Sequence, residues 1–419
     1  MLKSFVTQTS IVEDYNPDPL HLAQTVEIAH MLIDTAEDKS AYVNHTDIRG
    51  QTALHCVQTV EIACFLIDTA EDKSTYVNLN DSEGQKALHC AKTVEIARLL
   101  IDTVEDKSAY VTLADSDGQT ALHCAKTVEI ARLLIDTVED KSAYVTLADS
   151  NSQTALHCAK TVEIARLLID TVEDKSAYVT LADSDGQTAL HCAKTVEIAR
   201  LLLTHGDSSI AIDTVEDKSA YVTLADSDGQ TALHCAKTVE IARLLIDTVE
   251  DTSAYVTLAD SDGQTALHCA KTVEIARLLI DIADNKSEYV NFTDSNGQTP
   301  LHCATAMEIA HLLIDTVEDK SAYVNLTDSD GQTALHCALT ALYCAQTVEM
   351  AHLLIDSAED KSAYVNLTDS NSQTALHRAQ TVEIVRLLID TADDKSAYVT
   401  LTDIDGQTAL HRAQTVEIV

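Results

Sequence analysis

At 419 residues the chain is longer than one compact domain usually runs, and with 46% hydrophobic but only 4% aromatic residues and no Trp, any core must be aliphatic. That hydrophobic content argues against wholesale disorder. The formal net charge of −39, from 67 acidic against 28 basic residues, opposes binding to nucleic acid and to anionic membrane surfaces, because both affinities come from Lys and Arg. No stretch approaches the roughly 18 consecutive apolar residues of a spanning helix.

Residues 1–19, MLKSFVTQTSIVEDYNPDP, hold one Lys and no continuous apolar run, so they predict an N-terminal lead-in and no conventional secretory signal. From residue 20 to 419 a Leu-His pair marks a repeat, at His21, His55, His89, His123, His157, His191, His234, His268, His302, His336, His377 and His411. The spacing is 34 except for 43 between His191 and His234 and 41 between His336 and His377. Two insertions follow, near 204–212 and 340–346, the second resembling a copying slip because TALHCAL is followed at once by TALYCAQ. Residues 117–136, 228–247 and 262–281 are the same twenty letters. A fixed period of this size predicts a solenoid, in which each unit borrows its missing core from the next.

Within one unit, DSDGQ at 115–119 predicts a tight turn, with Gly118 at positive φ. TALHCAK predicts a short helix capped by Thr120, and Thr127 is a second cap for an amphipathic helix with Val128, Ala131, Leu134, Ile135 and Val138 on one face. Glu129, Arg132, Asp136 and Glu139 fall on the solvated face. SAYVTLA predicts an extended return to the next turn. Only Lys126-Thr127 separates the helices, so one unbroken helix over the whole segment is an alternative that the letters leave open. Ser152 and Ser372 replace the turn Gly and predict looser or differently shaped tips.

These units resemble the ankyrin repeat. Its T-P-L-H-x-A signature stands letter for letter at Thr299-Pro300-Leu301-His302-Cys303-Ala304, and as Thr120-Ala121-Leu122-His123-Cys124-Ala125 in the commoner form. EIARLLID resembles the second helix of that family, and YVNLTDSDGQTALH at 323–336 its return, hairpin and next start. The resemblance implies an all-α solenoid of about twelve helix-turn-helix units. It departs from the family in a shorter inter-helix link and in a charged extension, DTVEDKSA, that predicts a lengthened second helix. It also implies a non-enzymatic protein-interaction scaffold without cofactor. The positions matching the family's contact tips are Ser116, Asp117, Gln119, Asp185, Gln187, Asp228, Gln230, Asp262 and Gln264. Their near identity suits a basic or repetitive partner, and the alternative is a structural spacer or self-assembling rod.

The His ladder invites a metal or catalytic reading, but copies about 10 Å apart cannot share a zinc with ligands near 2 Å. A structural role is expected, with each ring bonded near the Thr hydroxyl. The Cys ladder, one in each of nine units, predicts small packing groups in a reducing compartment, with Cys64 and Cys344 outside it. Eleven Tyr, among them Tyr144 and Tyr178, form another ladder for which packing is favoured over a role as partner anchors. No HExxH, phosphate-loop or GxSxG motif occurs, so no catalytic, cofactor or metal residue is assigned. A cytoplasmic location is expected, with export into a host cell as a further route if the source is an intracellular microbe. The chain stops at Val419 inside a second helix, which predicts self-association through an uncapped final unit.

Overall fold

The computed structural model describes residues 18–204, 215–341 and 346–412, which fall into two compact units. One runs from 18 to 184; the other comprises 185–204 and the described residues from 215 onwards. Both are built from the same element sequence. No strand forms among the described residues, and none of their helices is long and apolar enough to cross a membrane.

In the copy from 115 to 148, Asp115 N–H donates to Gln119 O at 2.9 Å and Gly118 N–H to Asp115 O at 3.1 Å, closing the tip. Gly118 has φ of +78°, and a Cβ there would stand 2.8 Å from Ser150 N of the next tip, so glycine answers both backbone conformation and close approach. Ser152 and Ser372 adopt the same turn at φ of 60° and 58°, with the same bond to Asp149 O and Asp369 O at 2.9 Å. The shape expected to change is preserved, under strain, by the surrounding bonds. Ser152→Gly is accordingly expected to raise stability by about 1 kcal/mol. A lower melting temperature would contradict this.

The sequence TALHC forms a single hydrogen-bonded turn, His123 N–H to Thr120 O at 3.0 Å, and becomes a one-turn helix in copies such as Ala53–Cys56 and Pro300–Cys303. This is shorter than the predicted helix. The inter-helix link lacks residues of its own, and the chain makes it by leaving 125–127 non-helical, with Thr127 extended at φ −134° and ψ 155°. The unbroken-helix alternative is thereby excluded. Thr127 Oγ1 accepts from Ile130 N–H at 3.3 Å and opens the long helix Val128–Thr137. Its buried face is Ile130, Ala131, Leu134 and Ile135, while Glu129, Arg132 and Asp136 are exposed. Full burial of a side chain such as Leu134 stabilises by about 2 kcal/mol.

The charged extension does not lengthen the long helix, and SAYVTLA is not extended throughout. The helix ends at Thr137, Val138 turns extended (φ −92°, ψ 154°), and a separate helix, Lys141–Val145, starts with Asp140 as its cap, accepting from Ala143 N–H at 2.9 Å. Lys141 reaches back to Asp136 at 2.5 Å, and Tyr144 and Val145 turn into the core. The β-preference of Tyr-Val loses to this local capping and burial. Each unit therefore reads turn, single turn, long helix, short helix, return.

The long helix of one copy packs on that of the next within each unit. Across the 43-residue and 41-residue spacings the tips keep their register. Ser227 N–H donates to Asp185 O at 2.8 Å and Ser370 N–H to Asp330 O at 2.7 Å, so the extra residues leave the tip-to-tip bonding intact. In the second case the first helix grows to Ala334–Ala341 and the next begins at Gln346. Residues 205–214 and 342–345, which hold most of the two insertions and Cys344, lie outside the described residues, as do 1–17 and the final 413–419 on which the expected self-association rests.

Candidate functional site

The tips carry the candidate contact residues. Ser116, Asp117, Asp185, Asp228 and Asp262 are exposed, as the resemblance implies for a contact surface. Gln119, Gln187, Gln230 and Gln264 are half-buried and turned towards the neighbouring copy. Gln230 Nε2 donates to Asp260 Oδ2 at 3.2 Å, Gln264 Nε2 to Asp294 Oδ2 at 3.2 Å, and Gln187 Nε2 to Asp226 Oδ2 at 3.1 Å. The amide oxygen of Gln119 faces the Cys124 thiol at 3.6 Å. These glutamines therefore serve the stack with their side chains, and the tip presents its serine and aspartate.

Sequence reasoning missed the buried carboxylate that organises each tip. Asp115 Oδ1 accepts from Asp117 N–H at 3.0 Å and Gln119 N–H at 2.8 Å, and Asp149, Asp183, Asp226 and Asp260 are buried at the same position. The signal was available, since an Asp opens every tip beside an equally regular Gln. Tips are also tied to one another through the backbone: Asp117 O accepts from both Ser150 N–H at 2.8 Å and Ser150 Oγ–H at 2.6 Å. The carboxylates of Asp117, Asp228 and Asp262 consequently stand on a backbone held at both ends.

The His ladder is structural in a way that fixes its tautomer. His123 Nε2 lies 3.0 Å from Gln153 O of the next copy, and a carbonyl only accepts, so Nε2 carries the proton. Nδ1 then accepts from Thr120 N–H at 3.2 Å and from the Thr120 hydroxyl at 3.0 Å. The bond to the Thr hydroxyl is as expected; the bond to the following copy was not. Both nitrogens are used, and no group of three or more metal-capable side chains gathers among the described residues. Burial lowers the pKa of His55, His89, His123, His234, His268, His302 and His336, the last to about 4 with help from the Arg378 charge.

The other ladders are inward too. Tyr144 Oη donates to Val111 O at 2.9 Å and Tyr178 Oη to Val145 O at 2.9 Å, each one copy back, and both side chains are 3% exposed. They are packing groups, as favoured, and are closed to a partner. Burial, with nearby carboxylates, pushes the Cys124 and Cys337 thiols up to about 11 and Cys303 to about 12, so they are protonated and unreactive at neutral pH. Cys64, outside the ladder, is half-exposed on the long helix Val60–Thr69.

What reaches solvent is mainly acidic. Exposed lysines pair with aspartates five residues back, as in Lys39–Asp34, Lys73–Asp68 and Lys286–Asp281, all at 2.6 Å. Such pairs are each worth well under about 1 kcal/mol. The excess charge repels from copy to copy over distances near the Debye length. Raising salt from about 10 to about 300 mM is expected to lift the melting temperature by a few degrees, because screening removes more repulsion than ion pairing. A flat or falling response would contradict this.

No curated protein matches the chain significantly. Among solved structures, the ankyrin repeat domain of Bcl-3, described as a unique member of the IkappaB protein family, is 23% identical, with 56% of this chain and 98% of that chain covered and a TM-score of 0.37. The profile described as "Ankyrin repeats (3 copies)" matches residues 58–144, 126–214, 212–289 and 274–364. With that profile spanning most of the sequence, and the Thr-x-Leu-His turn, capped long helix and stacked tips recurring copy after copy, the chain belongs to the ankyrin-repeat family.

Proposed function

We propose that the chain is a non-enzymatic scaffold that holds a basic or repetitive protein along its tips, with residues 20–419 acting as one array in a cytoplasm. Ankyrin repeats are in general protein-interaction modules. The observation that carries the finer reading is the series of exposed carboxylates Asp117, Asp228 and Asp262 on tips whose backbones are bonded to the next copy. Within each unit, acids that recur at the same place on successive bonded tips favour a cationic partner with repeated contacts, since each additional contact multiplies the affinity of the whole. The turned-in glutamines narrow the contact set to the Ser-Asp pair.

The test compares the full chain with its Asp117→Asn, Asp228→Asn, Asp262→Asn variant as immobilised baits. Basic proteins retained by the first and lost by the second support the reading. Equal retention by both removes the tips from the function, and recovery of the chain alone favours the spacer or self-assembling rod.

A further inference from the structure

The short helices create a second surface, away from the tips. Between Val215–Val222 and Thr252–Val256 lies a groove of about 440 Å³ whose floor is Val249, Tyr255 and Leu258 and whose rim is Glu250 and Asp251. Ser219 and Thr223 form the facing wall. An equivalent groove of about 300 Å³ lies between Lys286–Val290 and Lys320–Val324, with Val317, Tyr323 and Leu326 below and Glu318 and Asp319 at the rim.

A single exposed leucine carries no meaning. Here the same position is exposed in copy after copy: Leu147 at 39%, Leu181 at 40%, Leu258 at 39%, Phe292 at 40% and Leu326 at 38%. Each follows a short helix and precedes a tip, and a Glu-Asp pair precedes the same helix in all of these copies but that of Phe292, where Asp284-Asn285 stands instead, so apolar and anionic groups meet in the groove at one fixed offset.

We propose that these grooves seat side chains of a partner polypeptide that carries lysine or arginine beside aliphatic residues, one seat per copy. The occupant is set by complementarity. An aliphatic residue or a lysine stem covers the Val-Tyr-Leu floor while the cationic head stays at the wet rim beside Glu250 and Asp251. An anionic segment is repelled by a chain of net charge −39, and a purely apolar one leaves the rim carboxylates desolvated without partners. Copies about 10 Å apart correspond to about three residues of a polyproline-II chain, which rises about 3.1 Å per residue and turns once in three, so a segment with an aliphatic residue at every third position presents them on one face to successive seats.

The groove at 219–258 is the strongest seat. Thr252 stands where the other five-residue helices begin with lysine, and Asp247 has no ion pair among the described residues, whereas Asp281 and Asp315 are bridged by Lys286 and Lys320 at 2.6 and 2.5 Å. This copy thus carries one cation fewer at the start of its short helix, next to the Glu250-Asp251 rim.

The experiment titrates the full chain, by calorimetry at physiological salt, with two synthetic peptides of equal charge: repeated Lys-Lys-Leu and repeated Lys-Lys-Gly. The leucine peptide is expected to bind about tenfold tighter, as burial of one or two leucines dictates. Leu258→Gln with Leu326→Gln should reduce it to the level of the glycine peptide. Thr252→Lys should weaken it severalfold and Lys320→Thr strengthen it, while Glu129→Gln, Glu163→Gln, Glu240→Gln, which removes three exposed long-helix charges outside both the tips and the grooves, stays within about twofold, which separates the grooves from bulk charge. Equal affinity for both peptides, or none for either, overturns the proposal. Loss of binding in the tip variant with indifference to the groove variants overturns it too, and leaves the tips as the contact surface.

Discussion

Tyr144→Ala is expected to destabilise the chain by about 3–5 kcal/mol, and Tyr178→Ala by as much, because each removes a fully buried aromatic ring and leaves a cavity between two copies. The Phe variants should cost only about 1 kcal/mol, the worth of the hydrogen bond to Val111 O or Val145 O. The loss should be concentrated in the altered copy and its neighbours, since contacts in a stack are with adjacent units. Thermal unfolding followed by far-ultraviolet circular dichroism measures the total, and hydrogen exchange locates it. An unchanged melting profile for the Ala variants would mean that the rings do not hold the copies together.

Acid should unfold the chain well before its carboxylates titrate. The seven histidines with lowered pKa are neutral in the fold and bind a proton near pH 6.5 once unfolded. The unfolded state therefore takes up more protons below that pH, and stability is lost as pH falls from about 6.5 towards each folded-state value. For His336, held at about 4, the loss between pH 7 and pH 5 is about 2 kcal/mol. The other six add in the same direction. Ordinary carboxylates remain ionised down to about pH 5, so relief of acid repulsion does not offset the loss in this window. Melting temperatures at pH 7, 6 and 5 check it. A flat or rising series would show that the buried rings accept a proton where they stand.

Much of the fold was legible because the chain says it twelve times. The 34-residue period, the Thr127 cap and the face through Leu134 and Ile135 all survive in three dimensions. The short helix Lys141–Val145 was not legible, since Tyr-Val prefers extension and five residues are too few to show a helical period; Asp140 was the available hint. At the tips, exposure of Asp117 was readable, but the inward turn of Gln230 depends on a carboxylate of the following copy, visible only by pairing the Gln and Asp positions across units. The reach of His123 to Gln153 O left no trace in the letters at all, because a backbone carbonyl is present whatever residue bears it.

The repeated staples from Tyr144 to Val111 O, Ser150 to Asp117 O and His123 to Gln153 O recur almost unchanged at other copies, three of which share twenty identical residues. Interfaces this alike contain no code for which neighbour is the right one, so only covalent order directs assembly. During refolding at high concentration, a unit of one molecule fits against another molecule as well as against its own. Exchange of copies between chains, and pairing displaced by a whole period, are the errors this architecture invites.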